Sequence, residues 1–463
     1  MSLTMRDYLN TLKGKQVAVL GLGVSNVPLV KLLLNAGISV TACDKREAAD
    51  SQMEALARQG ARLCLGKGYL DALDGYDVIF RTPGMRPDLP QLLDAVKRGS
   101  VLTSEMEVFF QVCPCPIIGI TGSDGKTTTT TIIAELLKAA GYTVHLGGNI
   151  GKPLLPEVEQ IASTDFAVVE LSSFQLMTMD MSPHITVVTN LAPNHLDVHR
   201  SMEEYVSAKE NIFTHQSRED RLILNADNDI THSFIGMEKG ALTLFSRRGE
   251  PQGSAVFLRD GVICLRDDRG ERAVLPRNSI LLPGDHNVEN YMAAIAAVNG
   301  LVSDEVIRAF AAKFSGVEHR IELVRTLNGV RYYNDSIASS PTRTMAGLKC
   351  FPEKVILIAG GYDKRIPFDV LGPSIAEHVK LLILTGDTAA KIRAAVEAAP
   401  DYSPGRPVIE EYDSLAEAVN AAHAAAQSGD VVLLSPACAS FDRFKNFMER
   451  GNTFKRLVQA LDD

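Results

Sequence analysis

Residues 116–131 read PIIGITGSDGKTTTTT: a short apolar run, a turn bracketed by glycines, a lysine and a run of threonines. A nucleotide triphosphate needs that arrangement. Gly122 and Gly125, with Ser123 and Asp124 between them, let backbone N–H groups close around an anion, and Lys126 adds a mobile positive charge. Thr127 or Thr128 offers a hydroxyl to Mg²⁺, and the helix beginning here turns its positive end toward the phosphates. The usual phosphate-loop spacing has a glycine five positions before Gly125, where this chain has Ile120. The loop is therefore the shorter T-G-x-x-G-K-T form. It starts more than a hundred residues into the chain, so another domain is expected in front of it.

Other polar residues fall at the ends of apolar runs. DFAVVELSSFQL reads as a buried strand delivering Glu170 to the carboxyl edge of the same sheet. A carboxylate beside Lys126 and Thr127 suits Mg²⁺, a hard cation that takes few carboxylates next to phosphate. HITVVTNLAPNHLDVH repeats the design and brings Asn190, Asn194 and His195 to that edge. His195 and His199 stand four apart, but a zinc-protease helix needs Glu after the first histidine and this chain has Leu196. His195 is read as a contact to metal or substrate, and His199 as a surface residue. Lys209, on the helical segment EEYVSAKENIF, reads from composition and spacing as a solvated lysine. His286, Asn287 and Asn290 occupy the first turns of a helix, and Asp335 and Lys364 stand at strand ends in the last third of the chain.

The elements that position these residues form three α/β blocks. KQVAVLGLGVSNVPLVKLLLNAG followed by ISVTACD is strand, glycine turn, helix and strand, with Asn26 where a dinucleotide fingerprint has its third glycine. The second block carries the phosphate loop and, over about 240–280, a small antiparallel excursion. VRYYNDS, KVILIAGGYDK, VKLLILTGD and DVVLLSPACAS are the strands of the third. Strands alternating with helices imply mainly parallel sheets that bind ligands at the strands' carboxyl ends. The fold class is α/β, with domains at 1–104, 105–316 and 317–463. A net charge of −9 argues against nucleic acid as the main partner, and no apolar stretch reaches membrane-spanning length. Seven scattered cysteines without C-x-x-C spacing suit a reduced, cytoplasmic protein, and Cys113 and Cys115 read as two unrelated thiols.

In these motifs the chain resembles the Mur ligases, the ATP-dependent amino-acid-adding enzymes of peptidoglycan synthesis. ITGSDGKTT, GGNIG (147–151), ELSSFQL (170–176), NHLD (194–197), HNVEN (286–290), EHR (318–320), NDS (334–336) and SPACASFDRFKNFMERG (435–451) follow the family's order. The last is similar to the branch that adds D-glutamate. The resemblance implies a Rossmann-like first domain holding UDP-N-acetylmuramoyl-L-alanine, a central ATPase domain and a Rossmann-like third domain delivering D-glutamate. It also implies a monomer, ATP, two Mg²⁺ ions, and an amide made through an acyl phosphate and a tetrahedral intermediate. By the same likeness Val24, Ser25, Asp44, Lys45, Arg46 and Thr82 match positions holding uridine and diphosphate, and Asn149 and His195 match contacts to the sugar-peptide and metal. Lys126, Thr127, Glu170, Asn287, Asn290, Arg320 and Asp335 match contacts to ATP and Mg²⁺. Lys209 matches the lysine that the family carbamylates with CO₂, which makes an ammonium into a carboxylate-like metal ligand. Lys364, Ser440 and Phe447 match the glutamate pocket.

Two departures stand out. Where the best-known members of the family have N-D-S-K-A-T, this chain has NDSIASS, with Ile337 for the lysine, so that charge must come from Lys364, Lys349 or Arg343 or be dispensable. Asp124 replaces the more frequent Asn and must point away from phosphate or toward metal. The alternatives are a related ligase with another amino acid, a folylpolyglutamate-type ligase, or an NAD-dependent dehydrogenase built on GLGVSN.

Overall fold

The structure, a computed structural model, describes residues 3–193, 199–364 and 366–462. It forms two compact units, Met1–Arg277 with Glu289–Phe310, and Asn278–Val288 with Ala311–Asp463. The first unit carries two sheets and the second unit one.

The first sheet contains β1 (Val17–Leu20), β2 (Val40–Asp44), β3 (Arg62–Leu65), β4 (Val78–Arg81) and β5 (Val101–Thr103), in the order β3-β2-β1-β4-β5 with every pair parallel. β1, β2 and β4 are buried throughout, as strands covered on both faces of a parallel sheet are, the polar ends Asp44 and Arg81 included. Strand order reverses between β1 and β4, so the loops leaving them open a crevice at their carboxyl ends. Gly21 lies there at φ +82°, and a Cβ on it would stand 2.8 Å from Thr82 Cγ2. Asn26, at the third glycine position, is buried and donates through Nδ2 to the carbonyls of Leu20 and Gly21 at 3.0 and 2.9 Å.

The second sheet contains β6 (Ile117–Thr121), β7 (Val144–Gly148), β8 (Phe166–Glu170), β9 (Ile185–Val188), β10 (Arg221–Asn225), β11 (Ala241–Ser246), β12 (Ala255–Arg259), β13 (Val262–Asp267) and β14 (Gly270–Pro276). β6 lies between β8 and β9, parallel to both. The antiparallel excursion starts later than its sequence pattern suggests: β11 still pairs parallel with β10 and β12, and only β12–β14 form a meander. Arg81 ties the two sheets of this unit together. Fully buried, it donates to the carbonyls of Pro83 and Met85 on one side and to the Phe174 carbonyl and Thr178 hydroxyl on the other.

The second unit carries β15 (Glu322–Leu327), β16 (Val330–Asn334), β17 (Val355–Ala359), β18 (Val379–Leu384), β19 (Val408–Glu411) and β20 (Val431–Leu434), in the order β15-β16-β20-β17-β18-β19. Only the β15–β16 hairpin is antiparallel. The loops after β16, β20 and β17 therefore leave one edge side by side. Among the described residues every cysteine is a free thiol, but Cys113 and Cys115 are not unrelated, because their sulfurs stand 3.6 Å apart.

Candidate active site

β6 ends at Thr121 and the helix Lys126–Ala139 begins five residues later, with Gly125 as its cap at φ +77°. The turn between them is closely fitted. A Cβ on Gly122 would lie 1.9 Å from Thr189 Oγ1, and one on Gly125 would lie 2.3 Å from Asn290 Oδ1. Ser123 is buried, its hydroxyl bonding the Ala192 carbonyl and Tyr205 hydroxyl, each at 2.9 Å. Asp124 is exposed, and Asn190 holds its backbone N–H and carbonyl at 3.0 and 3.2 Å. The carboxylate thus stands on the outside of the turn. Asn290 also accepts from Thr129 Oγ1 at 3.2 Å, so its amide fastens the start of the helix from behind.

Glu170 is the last residue of β8, in register with Ile120 of β6, and is buried beside the turn. Its Oε2 accepts from Thr127 Oγ1 at 2.7 Å and its Oε1 from Asn149 Nδ2 at 2.8 Å. Lys126 Nζ donates to the carbonyls of Gly122 and Ser123, both at 2.9 Å. These acceptors are neutral, and exchanging one for a phosphate oxygen would gain a charge-assisted bond. Thr128 is buried in the same helical turn. The set fits a nucleotide phosphate and Mg²⁺: backbone donors at a helix start, a cation, a hydroxyl and one hard carboxylate.

Lys209 is the departure from its solvated reading. The helix Met202–Thr214 is capped by the Ser201 hydroxyl and buries Tyr205, Ala208, Lys209, Ile212 and Phe213 on one stripe. Lys209 is 2% exposed, and its Nζ donates to Thr121 Oγ1 at 3.0 Å and the Gly122 carbonyl at 2.9 Å, 5.1 Å from the centre of the Tyr205 ring. Burial, with Lys126 nearby, drives its pKa well below the usual lysine range, against the opposing pull of Glu170. Burial thus favours the neutral amine, the nucleophilic form of a lysine, beside the phosphate loop. His199 is likewise no surface residue: it is buried, its ring 5.4 Å from Phe174 in a stacked arrangement, with Nε2 2.9 Å from the Ser173 hydroxyl. Asn194 and His195 lie outside the described residues.

At the crevice of the first sheet, Asp44 accepts from the backbone N–H of Leu22 at 2.7 Å and that of Arg46 at 3.0 Å, and pairs with the Arg46 guanidinium at 2.9 Å. Burial pushes this carboxyl up, but Arg46 and the Leu22 N–H outweigh it and bring it down to about 2. Lys45 and Val24 are exposed at the same edge, where Ser25 caps the helix Asn26–Asn35 without a side-chain bond. Thr82 is half-buried on the loop after β4.

In the second unit, Asp335 is buried after β16. Its Oδ2 accepts from Ser435 Oγ at 2.8 Å. Burial raises it to about 7, with the Ser435 bond and Arg320 acting the other way. Asn287, also buried, donates through Nδ2 to the Pro283 carbonyl at 2.7 Å. Ser440 is buried after β20, Lys364 is exposed after β17, and Phe447 stands edge-on to His319 with centroids 5.9 Å apart. Sequence reasoning gave no role to Arg450, which fastens these loops. Buried at 4% exposure, it donates to the Ser336 hydroxyl and to the carbonyls of Ser336, Cys438 and Ala439.

Family models match this chain as a MurD-like N-terminal domain over 15–104, a Mur ligase middle domain over 120–298 and a Mur ligase glutamate ligase domain over 319–438. The UDP-N-acetylmuramoylalanine–D-glutamate ligase of Acetivibrio thermocellus is 54% identical over all of both chains. The chain belongs to the Mur ligase family. The enzyme of the same name from Ruminiclostridium cellulolyticum is 49% identical, again over all of both chains. Among solved structures, the UDP-N-acetylmuramate–alanine ligase of Thermotoga maritima superposes with a TM-score of 0.56 at 17% identity, over 96% of this chain and 99% of that one. A UDP-N-acetylmuramoyl-L-alanyl-D-glutamate–2,6-diaminopimelate ligase gives 0.53 at 20% identity, over 91% and 86%. At such identities the structures speak for the fold alone, and they agree with a Mur ligase of three α/β domains with mostly parallel sheets.

Proposed function

We propose that this Mur ligase joins D-glutamate to UDP-N-acetylmuramoyl-L-alanine at the expense of ATP, making a peptidoglycan precursor. The full-length likeness to D-glutamate ligases supports this reading most strongly. The domains divide at 104/105 and 316/317, and the protein works as a cytoplasmic monomer. Among the described residues no helix is long and apolar enough to cross a membrane.

ATP supplies the phosphoryl group that turns the alanyl carboxylate into an acyl phosphate, and Mg²⁺ neutralises the crowded charge. The chain's residues do the rest. The backbone of Gly122–Gly125 cradles phosphate, and Lys126 leaves its carbonyl acceptors for the phosphoryl oxygens. Thr127 or Thr128, with Glu170, would hold the first cation, and Asn149 keeps Glu170 in place. Among the described residues no three His, Cys, Asp or Glu side chains converge on a metal. By the family likeness, His195 and Lys209, the latter as a carbamate, would hold a second ion. Burial at Lys209 favours the neutral amine, whose lone pair can form the N–C bond to CO₂ and release a proton to solvent, which an ammonium cannot do. Asn290, with Asn287, Arg320 and Asp335, serves the nucleotide. Val24, Ser25, Asp44, Lys45, Arg46 and Thr82 hold uridine and diphosphate. His195 and Asn149 contact the sugar-peptide, and Lys364, Ser440 and Phe447 hold glutamate. The incoming amine must be neutral to attack, and the site must exclude water because acyl phosphates hydrolyse.

The test is phosphate release from ATP with the UDP-linked alanine substrate and D-glutamate, L-glutamate or no amino acid. Release that requires D-glutamate is expected. Equal release with L-glutamate or without amino acid, or NADH oxidation, would overturn the reading.

A further inference from the structure

The loop that follows β16, Asp335–Ser340, reads DSIASS and contains no cation, although it begins with a buried carboxylate and carries three serine hydroxyls. The helix Pro341–Leu348 then brings one back. An added Cβ on Gly347 would stand 3.0 Å from Asp335 Oδ2, so the face of this helix that carries Gly347 is the face lying on the carboxylate. Arg343 is four residues earlier, one turn away on that same face. Its Nη1 donates to the Ile337 carbonyl at 3.3 Å, and its positive charge acts on Asp335. The residue is exposed, and this long bond to a neutral acceptor uses one of the five N–H donors of its guanidinium.

The other two candidate cations start from different places in the fold. Lys349 follows Arg343 by six residues, roughly 240° further round the helix, and caps its far end. Lys364 leaves β17, which is separated from β16 by β20, a displacement of roughly 10 Å across the sheet. We propose that Arg343 is the oxyanion-binding cation of the Asp335–Ser340 loop, standing in for the charge that Ile337 lacks and receiving a carboxylate or phosphoryl group on its paired N–H donors. A guanidinium suits this task because its fork matches two oxygens at once. The inference rests on the ligase reading above for the identity of the two possible anions, the amino acid's carboxylate and the nucleotide's phosphate.

The test is steady-state kinetics of the full chain with D-glutamate and ATP varied in turn. Arg343→Ala is expected to lower kcat/KM by roughly 10- to 100-fold, the range for losing a charge-assisted bond, with KM rising for one substrate. A rise confined to D-glutamate assigns the carboxylate, and one confined to ATP assigns the phosphate. Lys349→Ala is expected to leave the rates unchanged. Ile337→Lys added to Arg343→Ala is expected to regain at least about a third of the lost activity, because the charge returns to the same loop. Unchanged kinetics in Arg343→Ala would overturn the proposal. So would equal loss toward both substrates with a lowered thermal midpoint and no recovery by Ile337→Lys, the pattern of a structural role. If the unaltered chain shows no D-glutamate-dependent turnover, the ligase reading fails and Arg343 is judged on ADP binding by calorimetry. There a tenfold weakening in Arg343→Ala supports it and an unchanged affinity overturns it.

Discussion

Thr127 and Glu170 are joined by a 2.7 Å hydrogen bond, hydroxyl to Oε2, that links the first turn of the phosphate-loop helix to the end of the neighbouring strand β8. Two residues 43 positions apart thereby present their oxygens together. Asn149 takes the other carboxylate oxygen at 2.8 Å, so Glu170 cannot rotate away without breaking both bonds. Its charge is what a cation would use; its shape is what Thr127 and Asn149 use.

Glu170→Gln separates the two. It nearly keeps the shape and loses the charge, so the chain is expected to fold normally while the Mg²⁺ concentration for half-maximal rate rises at least tenfold and kcat falls on the order of 100-fold, as when a metal ligand is lost. Thr127→Ala is expected to raise the Mg²⁺ requirement as well. Magnesium titrations of the initial rate check both, and normal magnesium dependence in Glu170→Gln would remove this carboxylate from the site.

Lys209→Ala is expected to be inactive and to regain part of its activity with a small carboxylate such as acetate or formate, which can enter the space of the missing carbamate. The unaltered chain is expected to lose activity in CO₂-depleted buffer and recover it on adding bicarbonate. The depressed pKa gives the direction with pH: the neutral amine is the form that captures CO₂, so carbamylation holds down to lower pH than for a solvated lysine. Mass spectrometry under non-acidic conditions checks the adduct directly.

Much of this was legible in the sequence because it is carried by local pattern. The apolar run 117–121, the glycines after it and the threonine-rich helix all follow from neighbouring residues, as does Glu170 at the end of FAVVE. Lys209 was misread although a signal existed. Tyr205, Ala208, Ile212 and Phe213 are spaced as the apolar stripe of a helix, and Lys209 sits inside it, where an unpaired charge is costly. Reading the helix face instead of the residue type would have found it. Arg450 and Arg81 gave no such signal, because most of their acceptors are backbone carbonyls, which carry no residue-type pattern, and several are brought in only by tertiary folding. The place of Arg343 likewise depends on Gly347 letting the helix settle onto Asp335.

Asp44 makes a prediction in acid. Its carboxyl is held at about 2 against an ordinary 3.8, so the unfolded chain takes up this proton first as pH falls. The stabilisation is complete above pH 3.8 and is lost as pH falls through 2; one pKa unit is about 1.4 kcal/mol, giving roughly 2 kcal/mol in all. In Asp44→Asn the thermal midpoint is expected to be lower at neutral pH, with the gap to the unaltered chain closing between pH 4 and 2. Binding of the UDP-linked substrate is expected to weaken with it, since Arg46 loses its counter-charge and one of the two oxygens that order Arg46 and the Leu22 N–H becomes a donor. A gap independent of pH would mean that Asp44 acts through packing alone.

Gly122 tests the phosphate loop without touching a charged or metal-binding side chain. It stands at φ +150°, a region that side chains rarely adopt, and a Cβ there would overlap Thr189 Oγ1 at 1.9 Å. That hydroxyl is not free to leave, because it donates to the Asp124 carbonyl at 2.6 Å and so holds the turn's outer corner. Gly122→Ala must therefore either bend the turn or break this bond. Both displace the N–H groups that would meet phosphate. The substitution is expected to cost roughly 1–3 kcal/mol of stability and to weaken ADP binding at least tenfold, while binding of the UDP-linked substrate stays within twofold. Thr189→Ala added to it removes the overlap but not the backbone strain, so stability is expected to return in part and ADP affinity to remain low. Calorimetric titration with ADP beside thermal unfolding checks the pair. Full recovery of affinity in the double variant would show that the overlap with Thr189 was the whole cost, and that the glycine's φ does not shape the nucleotide site.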